Sequence, residues 1–219
     1  MSTMTYNPIH KKLHLAFESG QDYPQYREQI NYLLRQNKTS GKDSTEELVH
    51  FTALNVQRMK RLDKTIVLSS DLISNLQSLK KSYRFLVVTE AWCGDSAQNI
   101  PILAKMAEVT DKIDLKMIYR DENPEIMDAF LTKGARSIPK LIAIDKEGAV
   151  LGTWGPRPNP AQEIVIAYKQ GKYSDYETYQ KELQLWYAKD KGKTLQNEFI
   201  DLLHHWENKS MAVPCPQST

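Results

Sequence analysis

The segment Glu90-Ala-Trp-Cys-Gly-Asp-Ser96 holds the groups of this chain best placed to do chemistry. It follows a short apolar, β-branched run at 84–89 and precedes residues 95–109, which read as a helix. A cysteine at such a strand-to-helix turn has its sulfur near helix N–H groups that lack intrahelical acceptors and near the positive end of the helix dipole. Both favour thiolate over thiol. At pH 7 a thiol of pKa ~8.5 is about 3% ionised and one of pKa ~6.5 about 75%, which separates a bystander from a nucleophile. Asp95 opposes this. Its charge suits a helix start but repels a thiolate two residues away, so Cys93 is expected to be less acidic than its position suggests.

Other groups offer less. The second of the two cysteines, Cys215, lies in a Pro-Cys-Pro tail that reads as disordered, and it reads as an ordinary tail thiol. It is also the one thiol in the chain that could resolve a disulfide on Cys93. Two cysteines exclude a disulfide scaffold and a four-cysteine zinc site. His10 and His14 have i, i+4 spacing but no carboxylate or cysteine to complete a metal site, so no metal is expected. His204 and His205 are adjacent and point to different helix faces. The chain has no glycine-rich phosphate loop and no Gly-x-Ser-x-Gly elbow.

The elements that must position Cys93 alternate between strand and helix from 65 to about 170. Residues 65–68 read as a short strand, 71–81 as a helix, 84–89 as a buried parallel strand and 113–119 as the next strand. Asn123-Pro124 opens a helix that Gly134 is placed to end. Residues 141–144 and 149–151 flank Asp145-Lys-Glu-Gly148 as a hairpin. Helical periodicity marks both ends of the chain. Ser44 and Glu47 fit a capping box before the stripe Leu48, Phe51, Val56, Met59 and Leu62. Residues 176–190 and the stripe Leu195, Phe199, Leu202, Leu203 and Trp206 read as helices near the C-terminus. The expected organisation is a helical extension (1–64), an α/β domain (65–170) and C-terminal helices with a tail (171–219).

Of 219 residues, 41% are hydrophobic and 26% charged, an ordinary globular mix, and a net charge of +2 gives no support to nucleic acid or an anionic membrane as the main partner. The N-terminus lacks a basic region followed by an apolar run, and no apolar run is long enough to span a bilayer. A reducing cytoplasm is the expected compartment.

Four landmarks in order give the chain a family resemblance. Trp92-Cys93-Gly94 matches the start of a Trp-Cys-Gly-Pro-Cys motif, and Pro101 lies eight residues after the cysteine. Arg136-Ser-Ile-Pro-Lys140 matches a cis-proline loop, and Thr153-Trp-Gly155 a glycine turn beside the active site. From about 65 to 170 the chain resembles the thioredoxins. More narrowly it resembles a group of bacterial thioredoxin-like proteins that carry Trp-Cys-Gly-Asp and extra helices at both ends. The resemblance implies an α/β, thioredoxin-like sheet flanked by helices and a cis bond at Ile138–Pro139. It also implies a groove shaped by Trp92, Gly94, Ile138, Pro139 and Trp154. Ser96 stands where the family has its second cysteine, Asp95 where it has proline, and Val87 where it has a buried acid.

The resemblance places Arg120, Arg136 and Arg157 on the side of Cys93. Arg136 and Arg157 stand open between two roles: lowering the Cys93 pKa or holding a substrate carboxylate, and pairing with Asp121, Glu122 or Asp145 or plain solvation. Arg120 reads as paired or solvated, and Glu90 as a solvated strand-end carboxylate. Two functions follow. One is a monothiol redox protein in which Cys93 forms a mixed disulfide with a protein or a small thiol or disulfide. It needs no bound cofactor, and an external thiol such as glutathione resolves it. The other is a non-catalytic peptide- or protein-binding module. A peroxide-reducing cysteine ranks behind both, for want of an evident Thr or His partner. The oligomeric state is left open.

Overall fold

A computed structural model describes residues 8–208. The run Phe85-Leu-Val-Val88 lies in β1 (Tyr83–Thr89), which is buried along nearly its whole length, as a strand without polar alternation requires. β1 pairs in parallel with β2 (Ile113–Tyr119) and antiparallel with β3 (Lys140–Ile144), and β3 pairs antiparallel with β4 (Val150–Trp154). The sheet order is β2-β1-β3-β4.

Nine helices surround the sheet among the described residues: α1 (Pro8–Ser19), α2 (Tyr23–Arg35), α3 (Glu46–Thr65), α4 (Ser70–Gln77), α5 (Gly94–Val109), α6 (Pro124–Ala129), α7 (Asn159–Lys169), α8 (Tyr176–Asp190) and α9 (Lys193–Asn208). Alternating residues of β1 divide the core. Phe85 and Val87 face a cluster with residues of α2, α3, α5 and α9, whereas Leu86 and Val88 face Leu13 and Phe17 of α1, Met127 of α6 and Cys93. Both terminal extensions therefore pack on the sheet, a point the sequence leaves open. Phe199 and Trp206 of α9 meet Phe85 at ring distances of 6.0 Å each. Trp206 lies against Gly152 of β4, where a side chain would have no room. Between α1 and α2 the backbone of Gln21 exchanges hydrogen bonds of 2.8 and 2.9 Å with Met117 of β2.

Local expectations fail where distant groups intervene. Residues 65–68 do not form a strand: α3 runs through Thr65, and the segment beyond it is extended but pairs with no strand. Its backbone is satisfied by Gln196 of α9, which accepts from the Ser69 N–H at 2.8 Å and donates to the Val67 carbonyl at 3.3 Å. Thr45, not Ser44, caps α3, because the Ser44 hydroxyl accepts from the Thr39 N–H instead. The helix expected at 71–81 closes earlier, at Gln77. Gly134 does not end α6, which stops at Ala129; with φ of +77° it makes the tight turn between Thr132 and Ala135. Among the described residues no helix is long and apolar enough to cross a membrane. Cys215 lies outside the described residues.

Candidate functional site

Cys93 is the N-cap of α5, in extended backbone between the end of β1 and the first turn of the helix. Its thiol donates to the Ile138 carbonyl at 3.3 Å, and the Ile138–Pro139 peptide is cis, as is Gly155–Pro156. Cys93 is among the residues that line a cleft of about 910 Å³. The cleft also takes in Trp92, Gly94, Asp95 and Ile138. It is walled by α3 through Leu48, Phe51, Leu54 and Arg58, and by α8 through Tyr176, Tyr179, Leu183 and Gln184. Both walls lie outside the segment that sequence reading takes as the α/β domain.

The electrostatics run against a nucleophile at rest. Burial pushes the Cys93 thiol up to about 11, and the Asp95 carboxylate adds to the rise. The Ser96 hydroxyl, the Ser96 backbone N–H and the Arg157 guanidinium pull the other way without prevailing. Ser96, in place of a second cysteine, is buried and accepts from Thr89 Oγ1 at 2.8 Å, and Thr89 lies 3.5 Å from the Tyr26 hydroxyl. A ladder of hydroxyls thus runs from the core to the sulfur.

Asp95 is held from three elements. Arg157 donates to Asp95 Oδ2 from Nε at 3.0 Å and Nη2 at 2.6 Å, and Tyr187 of α8 donates to Oδ1 at 2.6 Å. Asn99 of α5 donates to the Asp95 carbonyl and to the Tyr187 hydroxyl. Arg157 is therefore paired, with a partner that sequence reading did not name. Arg136 grips Asp128 with two bonds of 2.6 Å and is exposed. Arg120 pairs with Asp121 at 2.8 Å and stacks over Trp92 at 5.0 Å. Trp154 does not flank Cys93. Its indole is buried against Phe199 and donates to Glu198 of α9 at 2.7 Å.

Glu90 overturns its reading as a solvated carboxylate. It is buried, accepts from the Ser40 hydroxyl and from the Asp121 N–H at 3.0 Å, and burial raises its carboxyl above the ordinary 4.5. A raised acid stabilises the fold fully below pH 4.5 and loses that contribution as pH climbs through the raised value. Wild type is therefore expected to lose stability relative to Glu90→Gln between pH 4 and pH 8, as read by urea denaturation. A constant difference across that range would show that the Glu90 charge carries no penalty in the fold.

Sequence reading missed Arg58 and Gln184. Phe51, Leu54 and Arg58 share helical spacing on α3, a signal that this arginine belongs to an apolar face rather than to solvent. Gln184 carried no comparable signal.

No curated protein matches the sequence. Two solved structures are similar. An HIV epitope-scaffold has 19% identity and a TM-score of 0.55 over 91% of this chain and 98% of its own. A protein of unknown function from Pseudomonas aeruginosa has 19% identity and a TM-score of 0.56 over 86% of this chain and 94% of its own. At that identity the likeness concerns the fold alone. The thioredoxin family matches the sequence itself over residues 41–172, more than half of the chain and inclusive of the Cys93 turn, the Ile138–Pro139 loop and the α3 wall of the cleft. With the strand order and the site geometry in agreement, the chain belongs to the thioredoxin family.

Proposed function

We propose that this chain is a monothiol thioredoxin-fold protein that exchanges disulfides through Cys93 in a reducing cytoplasm. The observation that carries the reading is a lone cysteine lining a cleft, its sulfur 3.3 Å from the Ile138 carbonyl, with no second cysteine among the described residues. The Cys93 thiolate attacks one sulfur of a protein or small-molecule disulfide. A bond forms between the two sulfurs, the substrate disulfide breaks, and the departing thiolate takes up a proton equivalent to the one Cys93 released. An external thiol such as glutathione then attacks the mixed disulfide at the substrate sulfur. This returns Cys93 as thiolate and leaves the external thiol joined to the substrate fragment. Trp92, Gly94, Ile138 and Pro139 shape the groove.

Reduction of a glutathione-mixed-disulfide peptide by excess glutathione tests the reading. The Cys215→Ser protein should accelerate it, and adding Cys93→Ser should abolish the acceleration. Equal rates in the two proteins would end it. The raised thiol favours a second reading, in which the cleft binds an extended peptide without exchange. In that case a peptide retained by wild type is retained equally by Cys93→Ser.

A further inference from the structure

We propose that Arg58, assisted by the Gln184 amide, forms a carboxylate-binding subsite beside Cys93, made for a small thiol or disulfide that carries a carboxylate. The inference rests on the monothiol reading for the sulfur chemistry and adds the class of small molecule that brings it. Four arginines line the cleft. Three are matched to carboxylates, Arg120 to Asp121, Arg136 to Asp128 and Arg157 to Asp95. Arg58 has no carboxylate within ion-pair reach among the described residues; its one hydrogen bond runs from Nη1 to Asn55 Oδ1 at 2.7 Å. It is half-buried, and burial together with the neighbouring Arg61 charge pushes its guanidinium down, which the more distant attraction of Asp95 offsets only in part. A ligand carboxylate supplies the remainder, and the planar fork of arginine suits bidentate contact.

The position fits the chemistry. A side-chain carbon at Gly94 would lie 3.6 Å from Arg58 Nη1 and 3.5 Å from Gln184 Nε2. Both donors thus stand within van der Waals reach of the residue next to the sulfur. The Gln184 oxygen is engaged by Gln98 at 2.7 Å, which leaves its amide hydrogens to the cleft. Asp95, the carboxylate at this end of the cleft, is already held by Arg157 and Tyr187. Glu47 lies eleven residues before Arg58, about 16 Å along the same helix, too far to neutralise it. Leu48, Phe51 and Leu54 line the cleft on the same helix and offer apolar contact to a ligand's carbon chain.

The test is calorimetric titration of the full chain carrying Cys93→Ser and Cys215→Ser, so that no covalent adduct forms. The probes are reduced glutathione and glutathione diethyl ester, whose carboxylates are blocked. Arg58→Gln should weaken glutathione binding about tenfold, the loss of one charged hydrogen-bonding partner, and change ester binding little. Arg58→Lys should fall between, and its thermal melt alongside that of Arg58→Gln confirms that both fold. No saturable glutathione binding by the parent, or equal losses for both probes, would overturn the subsite. Mixed-disulfide formation on Cys93 with glutathione disulfide is read separately. If it fails while carboxylate-selective binding persists, the exchange reading falls and the subsite stands. If it proceeds and Arg58→Gln alters neither probe's affinity, the subsite falls alone.

Discussion

Cys93 in the Cys215→Ser protein is expected to react with a small alkylating reagent, which gains nothing from binding in the cleft, at pH 7 about 25-fold more slowly than an ordinary exposed thiol of pKa ~8.5. A thiol raised to about 11 carries roughly 300-fold less thiolate at neutral pH. Each thiolate is more nucleophilic, by about 13-fold for a Brønsted slope near 0.45, and the two factors leave the net deficit. Its low exposure of 8% slows bulky reagents further. The rate should keep climbing with pH towards about 11, without a plateau near neutrality. A midpoint below ~7 would mean that the Ser96 donors and the helix terminus outweigh burial and Asp95, and that the site is poised for fast exchange. The expected outcome instead makes exchange slow until something in the cleft changes the surroundings of Asp95.

Arg157→Ala should cost about 3–5 kcal/mol, because it leaves the Asp95 carboxylate buried without its countercharge. For a chain of this size that is a fall in Tm of at least ~6 °C, readable by calorimetry. Asp95→Asn should cost less, since a neutral amide can still accept from Tyr187 and leaves the Arg157 side chain its bond to Gln162 at 2.8 Å. The two variants destabilise in the same direction but move the thiol in opposite ones. Losing Arg157 removes an attraction and should raise Cys93 further, whereas losing the Asp95 charge should lower it. The pH profile of Cys93 alkylation in each variant reads this sign. Shifts in the same direction would show that burial, rather than the Asp95–Arg157 pair, governs the sulfur.

Much of this was legible along the chain. Residues 113–119 and 176–190 fold with the bounds their patterns suggest, since each is set by local periodicity. The Cys93 turn is equally local: a buried strand must hand over to a helix there. What escaped depends on partners far away in sequence. Glu90 reads as a strand-end carboxylate until Ser40, fifty residues earlier, and the Asp121 backbone close over it. Residues 65–68 have strand composition, yet their backbone is completed by Gln196 from the far end of the chain. The family resemblance of Thr153-Trp-Gly155 puts Trp154 in the groove; the position of α9 turns it the other way. Arg58 and Gln184 belong to helices that one-dimensional reading treats as accessories, and the cleft exists only because those helices fold back over the Cys93 turn.

The bridge between Gln21 and Met117 has a consequence for self-association. β2 is an outer strand of the sheet, and such a strand offers unpaired N–H and C=O groups to any passing chain. The Gln21 backbone occupies the outward-facing groups of Met117 near the middle of β2, and α2 packs alongside. A foreign strand would have to displace this contact before it could extend the sheet. The segment between α1 and α2 therefore acts as an edge guard, separate from anything the cleft does, and it discourages fibril-like stacking on that flank of the molecule.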